Sequence, residues 1–154
     1  MIATDTAGIA AQRAAVVAEA LTWVGTPYHH RARVKGAGVD CGMILAAVYP
    51  AAGVTGPIEP APYPPDWHLH RAAERYLAEV RRYAPHVIPF EAMQPGDIPV
   101  WKFGRCFSHG AIYIGDGRIV HAYIDRGCEV TTVNDSEMID REVVCQSPWG
   151  TDGR

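Results

Sequence analysis

An excess of charge of either sign is lacking in this 154-residue chain, whose 20% of charged residues is ordinary for a globular protein. Lys and Arg number 14 and Asp and Glu 17, which leaves a formal net charge of -3. A faintly acidic balance gives no general attraction to nucleic acid or to an anionic membrane surface. Long apolar runs are missing, and none approaches the roughly 20 residues needed to cross a bilayer. The opening Met1–Thr6 has neither the basic nor the apolar region of a secretory signal. The expectation is a protein made in the cytoplasm and brought to any external substrate by something else. Cysteine is sparse as well. Cys41, Cys106, Cys128 and Cys145 stand far apart with no Cys-x-x-Cys pair. That argues against a structural zinc site and against a disulfide framework.

What is present suits one globular domain over residues 1–154, with 48% hydrophobic residues. Its two halves differ in period. Val16, Val17, Ala20, Leu21 and Val24 recur at helical spacing, with Asp5 or Thr6 as cap and Gly25 and Pro27 as stop. A second, apolar helix is expected over about 41–49, capped by Asp40 and ended by Pro50. Residues 56–65 are crowded with proline, which removes donors and pushes neighbours to extended conformations, so an irregular loop is expected there, near the functional site. Asp66 would cap a third helix carrying Leu69, Ala73, Leu77 and Val80 on its core face. Beyond it, 86–90, 97–103, 109–114, 118–123, 129–133 and 142–146 read as short strands. Helices followed by strands predict an α+β fold, with N-terminal helices packed on an antiparallel sheet of about five to six strands.

Most free cysteines are small buried hydrophobes, so position must single out a reactive one. Cys41 falls in the first turn of the second helix, where amide N–H groups and the helix dipole favour a thiolate. The neighbouring Asp40 carboxylate opposes this unless its charge is spent on capping. Facing it from the sheet half, His109 and His121 bracket one glycine-flanked hairpin and could form a base and the group that orients it. His68, His70 and His86 have no partner motif and read as surface or helix residues, while His29 and His30 lie close enough in sequence to line the Cys41 site.

Three blocks in order resemble the NlpC/P60 family of cell-wall cysteine endopeptidases, which have a papain-like core. They are Gly25-Thr26-Pro27-Tyr28 with Gly38-Val39-Asp40-Cys41, then Gln94-Pro95-Gly96-Asp97, then His109 through His121. The Lys35-Gly36 segment and Pro64-Pro65-Asp66-Trp67 are similar to the branch found in phage tails and gene transfer particles. Gly42-Met43 departs from the Ser-Gly that follows the cysteine in many cellular members. The resemblance implies a Cys41–His109–His121 triad, with Tyr28 and the Cys41 backbone amide at the oxyanion and Asp40 beside them. It implies a peptidoglycan stem peptide as substrate, cut at the D-γ-glutamyl–diamino acid bond, and tail-tip or baseplate proteins as partners. No metal or organic cofactor is required. The other readings of the same core are a structural tail or baseplate subunit and an acyl or amide transferase.

If the two histidines share a site they must share a sheet face, which requires an even register sum in the hairpin. A plain two-residue Asp116-Gly117 turn gives an odd sum. A three-residue loop pairing Ile114 with Arg118, or another loop or bulge that restores even parity, is therefore expected.

Overall fold

The computed structural model describes residues 6–61 and 75–150. Helix α1 (Thr6–Leu21) buries Ile9, Arg13, Val16 and Ala20, and Trp23 continues that stripe beyond its end. Of the stripe expected from sequence, Val16 and Ala20 are buried and Val17 packs against the core, but Leu21 and Val24 are exposed, so the buried face is turned toward Ile9 and Arg13. Alanine and valine surround the helix on most sides, so the apolar pattern alone did not select a face. What selects it is Arg13, which ion-pairs with the buried Asp97 at 2.9 Å and donates to the Pro95 carbonyl. Tyr49 donates to the Gly96 carbonyl from the other side. At Gly96, with φ +95, a Cβ would meet the Trp149 ring at 2.9 Å. The Pro95-Gly96-Asp97 motif is thus the knot tying helices to sheet.

Two short strands, β1 (Arg33–Val34) and β2 (Gly38–Val39), pair with each other and lead into α2 (Cys41–Ala51). The helix runs one residue past Pro50, which sits in its last turn rather than ending it. Its buried side chains (Cys41, Met43, Ile44, Leu45, Ala46, Val48 and Tyr49) make it the central core helix. Residues 56–61 are irregular, as expected. They lie against the C-terminal half of α2, sharing a shallow groove with Ala47, Pro50 and Ala51, while Arg33 donates to the Ile58 carbonyl. That is the opposite end of the helix from Cys41; residues 62–65 lie outside the described residues. So do 66–74, including the expected Asp66 cap, Leu69, Ala73, His68 and His70. The third helix, α3 (Arg75–Tyr83), buries Leu77 and Val80 as expected, together with Tyr76.

The sheet half holds β3 (His86–Ile88), β4 (Ile98–Phe103), β5 (Cys106–Gly110), β6 (Ile112–Gly115), β7 (Arg118–Tyr123), β8 (Gly127–Thr132) and β9 (Val143–Ser147). All pairings are antiparallel, in the orders β3-β9-β4-β5 and β6-β7-β8. The expected strand 109–114 is in fact two, broken at Ala111. The Ala111 and Tyr113 amides donate to the Pro99 and Asp97 carbonyls of the β4 segment, so β5 and β6 both run along one strand and join the two sheets. One sheet face, with Ile98, Val100, Ile112, Val120 and Ala122, packs on the helices; the other gathers Trp101, Ala111, Ile119 and Met138. Burying each such aliphatic side chain is worth about 1.5–3 kcal/mol.

The β6–β7 turn does not have the expected three-residue loop. Gly115 pairs with Arg118 around a two-residue Asp116-Gly117 turn in which both residues have positive φ, +56 and +74. Such a turn matches the strand twist. Even parity is restored instead by a bulge between Tyr113 and Gly115, beyond which Ile112 faces Val120.

Candidate active site

Asp40 is the N-cap of α2. Its Oδ1 accepts from the Gly42 and Met43 amides at 3.1 and 2.8 Å, and its Oδ2 accepts from the Arg31 amide at 2.7 Å. His30 Nδ1 stands 3.9 Å from the same oxygen. Cys41 is therefore held at the tip of a well-capped, buried helix. Its thiol donates to the Ser108 carbonyl at 3.7 Å. The expectation of a stabilised thiolate is reversed, because burial pushes the Cys41 thiol well above the ordinary cysteine range and the Asp40 charge pushes the same way. The Tyr76 hydroxyl and the Cys41 and Gly42 amides oppose this without overcoming it. The resting group is a neutral thiol.

Ser108 owes its position to a bulge. Trp101 pairs with His109 and Lys102 with Phe107, so Ser108 is the extra residue in β5. Bulges re-aim side chains and are common beside active sites. Here the bulge turns His109 toward Trp101, Phe103 and Tyr123, with ring centroids 6.4, 5.5 and 5.2 Å away. His109 Nε2 lies 2.9 Å from His121 Nδ1. The two histidines expected together are together, although His109 comes from β5 and not from the β6–β7 hairpin. The thiol's hydrogen bond goes to the residue before His109 rather than to the imidazole. Burial, then the His121 charge and those of Arg126 and Arg141, hold His109 well below the usual histidine range; Asp135 opposes weakly. His121 is lowered by burial, with Glu129 opposing through its hydrogen bond and charge.

Tyr28, half-buried, bridges to Val39 two residues before Cys41. Burial, and the charges Cys41 and Asp40 would carry, hold its phenol well above the usual tyrosine range, so it stays a proton donor. Cys106, Cys128 and Cys145 are buried and unbridged. Burial pushes Cys128 and Cys145 up to about 12, with Glu129 adding at the first and Asp97 and Glu91 at the second. Among the described residues no group of three or more His, Cys, Asp and Glu is placed to hold a metal ion.

Two contributors were not found from sequence. Tyr76 Oη donates to the Cys41 carbonyl at 2.7 Å and accepts from the Gly110 amide at 3.0 Å, clamping the helix tip to the strand that carries His109. Only glycine permits this, because a Cβ at position 110 would meet that oxygen at 2.7 Å. Glu129 Oε2 lies 2.8 Å from His121 Nε2. It pairs directly with His121 across β7 and β8, and extending the parity argument to that second hairpin would have found it.

The chain is similar in sequence and in fold to known proteins. The chain is 30% identical over 115 residues to a probable endopeptidase of Mycobacterium tuberculosis, covering 75% of this chain and 24% of that protein. It is 30% identical over 88 residues to the tail tip assembly protein K of Escherichia phage lambda, covering 53% of this chain and 40% of that one. The chain thus spans well under half the length of these relatives. The crystal structure of the NlpC/p60 domain of the peptidoglycan hydrolase SagA superposes with a TM-score of 0.58 at 25% identity, covering 86% of this chain and 96% of that one. The model of the NlpC/P60 family matches residues 25–146, which take in every residue of the site just described, and the chain belongs to that family.

Proposed function

We propose that this chain is a cysteine endopeptidase that hydrolyses peptidoglycan stem peptides. The observation that carries the reading is the approach of a helix-tip thiol to a bulged strand whose next residue, His109, is held by a second histidine. Neutral thiol and neutral imidazole make a pair in which proton transfer accompanies attack. Cys41 Sγ bonds to the peptide carbonyl carbon as its proton passes to His109. The Cys41 amide and the Tyr28 hydroxyl donate to the oxyanion that forms. The C–N bond then breaks, and the imidazolium gives its proton to the departing amine. Water, deprotonated by His109, next attacks the thioester; acid leaves and the thiol is regenerated. His121 keeps the His109 ring in place throughout, and the chain needs no cofactor for these steps.

Kinship with proteins named endopeptidase and peptidoglycan hydrolase supports the substrate class, and within it we assign the D-γ-glutamyl–diamino acid bond. The likeness to a tail tip assembly protein supports delivery by a phage-like tail, with tip or baseplate proteins as partners, and action at the wall of the target cell. Purified stem peptides incubated with the protein and analysed by mass spectrometry test the chemistry. Cleavage of one amide bond by the wild type is expected. Intact peptide would leave a structural tail subunit as the reading, and an acyl group moved to an added amine would make the protein a transferase.

A further inference from the structure

We propose that Glu129 is a positioning residue that sets the tautomers of both histidines through His121, making the chain of side chains Cys-His-His-Glu rather than a triad. The proposal deepens the peptidase reading and rests on it for its kinetic consequence only.

The argument begins with the strand register. His121 and Glu129 are directly paired across β7 and β8, so their side chains leave the same face. Glu129 Oε2 sits 2.8 Å from His121 Nε2, and the imidazole is fully buried while the carboxylate is partly exposed. The carboxylate is fixed from its other side by Arg126 Nε at 3.2 Å. Arg126 also lies over the Tyr123 ring at 4.7 Å and is held by Asp135 at 3.2 Å. Asp135 in turn accepts from Thr131 Oγ1 and from the Glu137 amide. Glu129 therefore reaches His121 from a frame of hydrogen bonds and is not a free surface side chain.

Donor and acceptor roles then propagate without further choice. A carboxylate oxygen only accepts, so His121 Nε2 must carry its hydrogen. A neutral imidazole with hydrogen on Nε2 has a lone pair on Nδ1, and that atom faces His109 Nε2 at 2.9 Å. His109 Nε2 must then be the donor, which leaves its lone pair on Nδ1 as the base. The opposite tautomer of His121 would put hydrogen on its Nδ1, draw the lone pair of His109 to Nε2 and leave Nδ1 protonated and useless as a base. Burial keeps both rings neutral, so tautomer choice rather than protonation is what remains to be set. The charges that face this pair are Glu129, Arg126, Asp135 and Arg141, together with the Tyr123 hydroxyl bonded to Glu137. Of these, Glu129 makes the hydrogen bond to the His121 ring.

The test uses the full chain labelled with 15N-histidine and long-range 1H–15N correlation spectra, recorded above the ordinary histidine titration range. His109 and His121 are both expected as the Nε2–H tautomer in the wild type. Glu129→Gln, whose amide oxygen can take the same hydrogen, should keep that pattern; Glu129→Leu should move His121 toward Nδ1–H. On stem peptide, Glu129→Leu should lower kcat about 10- to 100-fold with KM unchanged, by analogy with the carboxylate partners of metal-bound histidines, and Glu129→Gln should restore most of it. An Nδ1–H His109 in the wild type would overturn the proposal, even if no variant folds. So would tautomers in a folded Glu129→Leu identical to those of the wild type. Because the spectra need no substrate, a protein that failed to cleave peptide but showed both Nε2–H rings would refute the peptidase reading and leave this inference standing.

Discussion

The helical half and the sheet half each bury one side of the site, but they hold it by different means. Cys41 is fixed by bonds between side chains and backbone groups: the Asp40 carboxylate capping the helix amides, the thiol on the Ser108 carbonyl and the Tyr76 hydroxyl on the Cys41 carbonyl. His109 is fixed by side chains, in a row running through His121 to Glu129 and Arg126. Burial also acts in opposite senses, raising the thiol and lowering the imidazoles. The lesson is that low dielectric keeps both halves neutral, so the functional pair is poised as thiol and imidazole rather than as an ion pair.

The largest break in that comparison is Cys41→Ala. Peptide hydrolysis should disappear while the fold persists, since the change removes one reactive atom at a capped helix tip. Cys106→Ser, Cys128→Ser and Cys145→Ser should each keep substantial activity. Turnover at the wild-type rate by Cys41→Ala, or first alkylation at another cysteine, would move the nucleophile elsewhere.

An intermediate effect is expected from Tyr76→Phe, which leaves the Gly110 amide buried without this partner and takes from the Cys41 carbonyl the bond it makes in addition to its helical one. One orphaned amide costs about 1–3 kcal/mol, so chemical denaturation should show a loss of that order. The decline in activity should fall on kcat, because the clamp aligns thiol and strand. A denaturation midpoint equal to that of the wild type would show that the two halves are aligned without the tyrosine.

The smallest and most diagnostic effect is the pH dependence of stability, which should have opposite signs for the two halves. His109 and His121 titrate lower in the folded state, so below the ordinary histidine value of 6.5 the unfolded chain binds protons that the fold refuses. Their contribution is complete above that value and is lost as pH falls toward the depressed folded values. Cys41 titrates higher when folded, so its contribution is complete below the ordinary thiol value of 9.0 and is lost as pH rises beyond it. Melting temperatures should therefore fall on both sides of neutrality. His121→Asn should make the acid limb shallower without removing it, because His109 still titrates low, and Cys41→Ala should do the same to the alkaline limb, because the buried Tyr49, Tyr76 and Tyr83 also titrate high. An acid limb unchanged by His121→Asn would mean that His121 contributes nothing to it.

Local signals carried the sequence reading a long way. The Asp40 cap, the helix behind Cys41 and the period-two runs of the second half are short-range features, and they are found where expected. Features decided by distant contacts were not legible. The buried face of α1 depends on Arg13 reaching Asp97, and Tyr76 matters only because α3 returns to the Cys41 tip. The break at Ala111 arises because one continuous run must follow β4 past the join between two sheets. The histidine pair was anticipated through hairpin parity, and of the ways named to meet it the protein uses a bulge with a two-residue turn and not the three-residue loop.

The bulge at Ser108 can be seen as a frame shift in a two-letter alphabet. Along an ordinary strand Phe107 and His109 would share a face. With one residue inserted between them, Phe107 packs with the helix-side core while His109 joins the aromatic rings on the reverse. Upstream of the inserted residue the strand is spelled in one phase, downstream in the other, and the thiol reads the junction itself. A deletion of one small, chemically inert residue would leave every functional group in the sequence and still put the thiol and the imidazole out of phase. For this site, chain length at position 108 carries information that residue identity does not.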